Sequence, residues 1–301
     1  GENYVMEWQF LFELTINGLL TGMMYALIAV GFVLIYKSTD AINFAQGEFV
    51  MIAAIVVAGM AANYGFPIVA AIAVGLLFMI VFNFALERIV LRPMIGRPVV
   101  SIIMATIGLA LMLRGAGPLV FGAETRPLDI GVPDEPLIWG PLFMTPIDVV
   151  GAGISIMFLA IFGWFFMKSR KGVAMRAVAD SHMISMAMGI NVERYFALAW
   201  ILAGVVALLG GLVWGSAIGV DTQMAALGLK VFPVVILGGL DSIIGVVVGG
   251  LIIGVCEALA AGYIDPLVGG GTKDFTPYVL MILVLMFRPY GIFGKPIIER
   301  I

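Results

Sequence analysis

Apolar positions in this chain run on in long blocks, and the charged residues are confined to the gaps between them. Segment 14–36 carries no charge and ends at Lys37. Segment 49–62 is shorter and is headed by the polar cluster Asn43, Gln46 and Glu48. Segment 67–86 closes with Glu87, Arg88, Arg92 and Arg97, and segment 99–113 runs on past Arg114 towards Phe121. Segments 149–167 and 195–220 follow, then a short piece at 231–240 that stops at Asp241-Ser242, and segments 243–263 and 275–287. A helix needs about 20 apolar residues to cross a hydrocarbon core of about 30 Å. The pattern predicts an all-α membrane protein, a polytopic bundle of 8–9 transmembrane segments with some broken or re-entrant. The count is nine where 231–240 crosses and eight where it re-enters.

Lys and Arg collect at 88–97, at 168–176 and at 288–300, whereas 122–148 holds five prolines and Arg126 as its only basic residue. Short loops rich in Lys and Arg stay in the cytoplasm. The expected arrangement is therefore one transmembrane domain over 1–301, with 122–148 as a loop on the outer side, periplasmic where the membrane is a bacterial inner one, and 168–194 on the cytoplasmic side. It places the N-terminus outside and the C-terminus inside, a parity that needs nine crossings. The first apolar segment is too long for a signal-peptide core and is read as a span. Gly1–Val5, ahead of Met6, are read as a remnant added to the natural start.

Composition agrees: 62% of residues are hydrophobic and 12% charged, against about 45–50% and about 25% in soluble domains. A net charge of −3 without a basic block gives no sign of a nucleic-acid partner. A single cysteine, Cys256, permits neither a disulfide nor a thiol metal site within the chain. The single histidine, His182, lies in a polar connector, so no histidine metal site or Ser-His relay is expected. No catalytic residues are assigned. Gly269-Gly270-Gly271-Thr272-Lys273 has the wrong order for a phosphate loop. ATP, where it is used, must be bound by another subunit.

Small residues recur every fourth position at Ala199, Ala203, Ala207, Gly211, Gly215 and Gly219, with a second patch at Gly245, Gly249, Gly250 and Gly254. Lipid supplies no hydrophobic drive between helices, so close backbone approach over small residues is a main source of association. Both patches are read as helix-packing surfaces.

Polar groups inside the membrane are costly and are functional candidates by default. Asn43, Gln46 and Glu48 have two readings. One is a broken helix along the solute route. The other is a membrane-edge turn in which Asn43 caps the helix and Glu48 favours its positive end. Arg114 and Glu257 are isolated and are read as paired or snorkelling side chains. In 168–194, Met175, Val178, Ala179, His182, Met183 and Met186 share one face of a helix, with Arg176, Asp180 and Ser181 elsewhere. Gly189 is placed to stop that helix and Asn191 to cap the next. A methionine-rich face poor in Lys and Arg suits an adaptable protein groove better than lipid headgroups.

These residues carry a resemblance. Over nearly its whole length the chain resembles the permease subunits of branched-chain amino acid ABC importers. It does so in Tyr25-Ala26-Leu27-Ile28-Ala29-Val30-Gly31-Phe32, in Ile42-Asn43-Phe44-Ala45-Gln46-Gly47-Glu48-Phe49 and from Glu87-Arg88 to Arg92-Pro93. It continues in Arg176-Ala177-Val178-Ala179-Asp180, Ala187-Met188-Gly189-Ile190-Asn191 and Leu237-Gly238-Gly239-Leu240-Asp241-Ser242-Ile243. The last piece is Arg288-Pro289-Tyr290-Gly291-Ile292-Phe293-Gly294.

The resemblance implies a bacterial inner-membrane importer of a small organic solute, with branched-chain or other amino acids as the leading candidates. Its implied partners are a second related permease, two ATP-binding subunits carrying ATP-Mg, a periplasmic solute-binding protein and membrane lipid. It makes 168–194 the coupling loop, with Arg176, Ala177, Asp180, Met183, Met186 and Gly189 at the ATPase contact. The early glutamate of the general importer loop has no clear counterpart here. Asn43, Phe44, Gln46, Gly47 and Glu48 are then expected along the translocation route. A secondary transporter would lean on Glu48 and Glu257, which is thin support.

Overall fold

The computed structural model describes residues 2–295, with side chains from Met6 onward. The reading of Gly1–Val5 and the tail residue Arg300 lie outside the described side chains. In chain order the helices are α1 (Glu2–Thr39), α2 (Gln46–Tyr64), α3 (Ile68–Leu86), α4 (Val99–Phe121), α5 (Pro146–Lys168) and α6 (Arg170–Asp180). They continue as α7 (His182–Ala187), α8 (Val192–Ile218), α9 (Ala226–Gly238), α10 (Ile243–Leu259), α11 (Asp265–Val268) and α12 (Thr272–Phe287).

Seven of the described helical stretches are long and apolar enough to cross a membrane: α1, α2, α3 with its extension to Met94, α4, α5, α8, and α10 with its extension to Val268. These extensions begin in π-helical turns, Glu87–Leu91 after α3 and Ala260–Ile264 after α10. The piece expected at 231–240 is the end of the shorter α9, and 275–287 lies in α12, a helix of 16 residues. The loop 122–148 is not helical throughout. It contains a hairpin of β1 (Leu137–Trp139) and β2 (Leu142–Met144), with Ile138 opposite Phe143. The turn between them uses Gly140 at φ 62, a left-handed conformation that favours glycine.

The chain forms two compact units. One comprises Gly1–Ala29, Gly131–Ile156 and Lys230–Ile301. In it, α1 and α10 approach so closely that a Cβ at Gly18 would stand 2.6 Å from the Cα of Val255. Gly22 meets Gly250 and Gly254 meets Gly18 in the same seam. The second small patch is thus half of a matched pair. Tyr25, one turn further along α1, donates to Glu257 Oε2 at 2.8 Å, both side chains buried. The triple glycine forms a left-handed turn, held by the N–H of Thr272 donating to Asp265 at 2.9 Å. That is a structural turn between α11 and α12.

The other unit, Val30–Ile130 and Met157–Leu229, is built around α2. Every residue of α2 from Gln46 to Gly59 is buried, as expected of a helix apolar on nearly all sides. The ridge on α8 explains how: Ala199, Ala203, Ala207, Gly211 and Gly215 are all buried. A Cβ on Gly211 would stand 2.8 Å from the carbonyl oxygen of Val50 on α2. On the α3 side, buried Asn83 sits against Gly204 and donates to the Met79 carbonyl at 2.9 Å. Phe49 meets Trp200 edge to face at 6.0 Å.

Candidate functional site

The polar cluster ahead of α2 is fully inside the protein. Asn43 and Gln46 have no exposed surface, and the side chain of Glu48 is 3% exposed. The helix begins at Gln46, so Gln46, Gly47 and Glu48 form its first turn. Asn43 does not cap it. Its Oδ1 accepts from the N–H of Ala45 at 3.0 Å, two residues on, which shapes the turn instead. Thr106 of α4 accepts from the N–H of Phe44 at 3.2 Å and pins that turn to α4. Gln46 packs against Gly31, and its Nε2 has no hydrogen-bond partner. Gly47 lies against Gly228 of α9, close enough that neither position has room for a side chain.

Glu48 is not solitary. Arg114 on α4 donates to its Oε1 at 2.6 Å. The carboxylate is buried, yet the guanidinium side chain is 47% exposed. The other exposed positions of α4 are apolar or small, among them Met104, Gly108, Leu111, Gly115 and Leu119. A charge on such a face is expensive in hydrocarbon. It is stable where that face looks onto water or another protein.

The connector 168–194 departs from the single helix expected of it. It forms two, α6 and α7, separated at Ser181, which is in an extended conformation. Ser181 Oγ accepts from the N–H of Ile184 at 3.3 Å and starts α7 afresh. The apolar face is divided accordingly. Met175 and Val178 turn inward, Val178 with Val192 and Phe196, whereas Met183 is 78% and Met186 60% exposed. Gly189 ends α7 at φ 80, and Asn191 caps α8 by accepting from the N–H of Arg194 at 3.1 Å. Ala177 is half-buried and Asp180 exposed. Arg176 turns back: it donates to the Met167 carbonyl at 3.1 Å and stands 6.0 Å from the Phe166 ring.

Residues 14–286 match the family described as branched-chain amino acid transport system / permease component. The chain belongs to that family. It is the transmembrane permease subunit of an ABC importer, a multi-pass transport protein of the inner membrane. It is similar to the high-affinity branched-chain amino acid permease BraD of Pseudomonas aeruginosa, 32% identical over 95% of this chain and 96% of the relative. The corresponding permease LivH of Escherichia coli K12 is 32% identical over 98% of this chain and all of the relative. A probable permease LivH of Methanocaldococcus jannaschii is 28% identical over 98% of this chain and 93% of the relative. Among solved structures, PsaBC from Streptococcus pneumoniae in complex with Fab superposes with a TM-score of 0.51. It covers 92% of each chain at 13% identity, a likeness of fold.

Within this permease the sequence left several buried polar groups unassigned, among them Glu87, Asn83 and Tyr25. Glu87 accepts from Arg92 Nη2 at 2.9 Å, and Arg92 also donates to Glu193 at 3.1 Å. Asn83 stands in no motif, and Tyr25 opens the Tyr25–Phe32 stretch with no role given to its hydroxyl. Their signal is a polar residue inside an apolar run beside a glycine or a carboxylate far away in sequence.

Proposed function

We propose that this permease imports a branched-chain or other apolar amino acid, and that the pathway passes the Glu48–Arg114 pair. The observation that carries this reading is that pair. A buried carboxylate holds a half-exposed guanidinium on an otherwise apolar face, where a solute with its own charges could exchange with it. Asn43, Phe44, Gln46 and Gly47 frame the turn that fixes Glu48.

The machine in this reading has a second related permease, two ATP-binding subunits that hold ATP-Mg, and a periplasmic binding protein that delivers solute. The coupling loop is α6–α7, with Met183 and Met186 as the side chains offered to an ATP-binding subunit. Asp180 and Gly189 flank that contact, Ala177 lies behind it, and Arg176 braces α6 against the end of α5. Docking and ATP binding bias the bundle between outward and inward openings. Both compact units serve one permease domain. The N-terminus lies outside and the C-terminus inside, with eight or nine crossings. At 1.5 Å per residue α12 reaches about 24 Å and α9 about 20 Å, so α9 is the segment nearest to a re-entrant one.

The test is ATP-driven uptake of labelled L-leucine into proteoliposomes of the assembled transporter with its binding protein. The reading expects uptake that needs ATP and falls at least about tenfold in Arg114→Gln. Uptake that follows a proton or sodium gradient without ATP would favour a secondary transporter.

A further inference from the structure

A second site lies apart from the Glu48–Arg114 pair. In the α2-centred unit a cavity of about 200 Å³ opens between the end of α1, the turn after α3, the start of α4, α7 and α8. It is smaller than the roughly 300–1,000 Å³ of pockets that hold drug-sized ligands, and so fits one small molecule. Leu91, Ile102, Phe196 and Trp200 give it apolar walls.

Its charged groups are arranged in an uneven way. Glu87 and Arg92 line it but satisfy each other at 2.9 and 3.1 Å. Asp40 and Arg97 also line it, are exposed, and have no ion-pair partner among the described residues. Trp200 is 1% exposed, and its indole N–H is a buried donor with no acceptor. Buried donors are rarely left unpaired, because each costs the desolvation of an N–H. A plain anion would meet Asp40 unfavourably, and a plain cation would meet Arg97. A zwitterion with an apolar side chain answers both, brings a carboxylate to a cavity whose wall includes the Trp200 indole, and covers the apolar wall.

His182 also lines this cavity and is the first residue of α7. Its ring stands edge to face on Phe196 at 5.1 Å. A ligand held here touches the start of the coupling helix and the helix behind it. It therefore stabilises the arrangement in which His182 closes the cavity over any arrangement that moves α7 away.

We propose that this cavity binds the imported apolar amino acid from the cytoplasmic side and restrains α7, so that accumulated product slows the ATPase. The inference rests on the import reading above and deepens it. It adds a site for the same solute class, distinct from the route at Glu48.

The experiment uses proteoliposomes of the assembled transporter with the ATP-binding subunits facing the bath. L-leucine is added to the bath without binding protein, and ATP hydrolysis is measured. Expected is a dose-dependent fall, with isocaproate and isoamylamine, each lacking one of the two charges, at least about tenfold weaker. Asp40→Asn, Arg97→Gln and Trp200→Phe should each raise the half-inhibiting leucine concentration about tenfold, in line with the loss of one charge-assisted or buried hydrogen bond. Size-exclusion and melting profiles like those of the parent complex show that these variants fold.

Hydrolysis indifferent to leucine, or inhibited equally in parent and variants, overturns the proposal. Binding-protein-driven leucine uptake into vesicles of the opposite orientation separates the two claims. Uptake with no bath inhibition sinks this site alone. Vesicles that hydrolyse ATP but import no apolar amino acid sink the import reading and this inference with it.

Discussion

Arg114 Nη2 lies 2.6 Å from Glu48 Oε1, across 66 residues of sequence. The bond joins α4, whose side chains are largely exposed, to α2, which is buried for most of its length. A charge pair in that position ties the buried helix to the exposed one through two side chains.

Glu48→Gln leaves the guanidinium without its anion, and Arg114→Leu leaves a buried carboxylate alone. Breaking a fully buried pair costs about 3–5 kcal/mol. Here half-exposure of Arg114 reduces that, to about 2 kcal/mol, by solvent screening. Arg114→Leu should lower the thermal midpoint more than the double variant Glu48→Gln/Arg114→Leu does. A melting series in detergent on the four proteins gives the coupling. Additive effects would show that the pair carries no coupling.

Gly254 on α10 has the backbone of Gly18 and Gly22 against it, whereas nothing stands within 4 Å of a Cβ built on Gly108. Gly254→Val must push α1 and α10 apart, and overpacking of this kind costs about 1–3 kcal/mol or more. The yield of monodisperse protein should collapse. Gly108→Ala, by contrast, should keep its yield. Equal yields would contradict the close seam.

Tyr25→Phe removes the hydroxyl that satisfies Glu257 Oε2, and Oε1 already lacks a partner. The expected cost is about 1–3 kcal/mol, read as a lower melting temperature. Glu257→Gln should be milder, since an amide still accepts from the Tyr25 hydroxyl. A Tyr25→Phe variant as stable as the parent would show that bond to be idle.

Gly189 holds φ 80 at the end of α7, with open space around it. Gly189→Val meets no clash but must adopt a left-handed backbone, which is a genuine outlier for a β-branched residue. The strain, of order 1–3 kcal/mol, falls on the connector and not on the spans. Uptake and ATP hydrolysis should therefore drop while the yield and melting temperature of the permease stay near the parent. A matched loss of yield would place the damage in the bundle instead.

The long helices were legible because an apolar run of span length has few alternatives in a chain so poor in charge. The α8 ridge was legible for the same reason that it packs: Ala203, Ala207, Gly211 and Gly215 repeat at helical spacing, and all are buried. Gly18, Gly22 and Ala26 carry the same four-residue signal on α1, less conspicuous than the Gly249-Gly250 patch. The break at Ser181 was hidden, since Asp180-Ser181 reads equally as helix interior or as a new cap. A serine cap wins where its hydroxyl reaches the next free N–H. The partner of Glu48 was beyond periodicity altogether, because pairing across 66 residues depends on which helices cross. The division of the methionines followed from tertiary packing: Val178 is claimed by Val192 and Phe196, and Met183 and Met186 are left outside.

The most direct measurement of the central claim is affinity purification of the detergent-solubilised permease from its native membrane, with mass spectrometry of what accompanies it. It is run beside the double variant Met183→Asp/Met186→Asp, whose changes fall on exposed positions of α7. The account predicts a second permease and two ATP-binding subunits with the parent, and loss of the ATP-binding subunits from the variant while the second permease is kept. A chain that purifies alone, or one whose companions ignore those two substitutions, would contradict it.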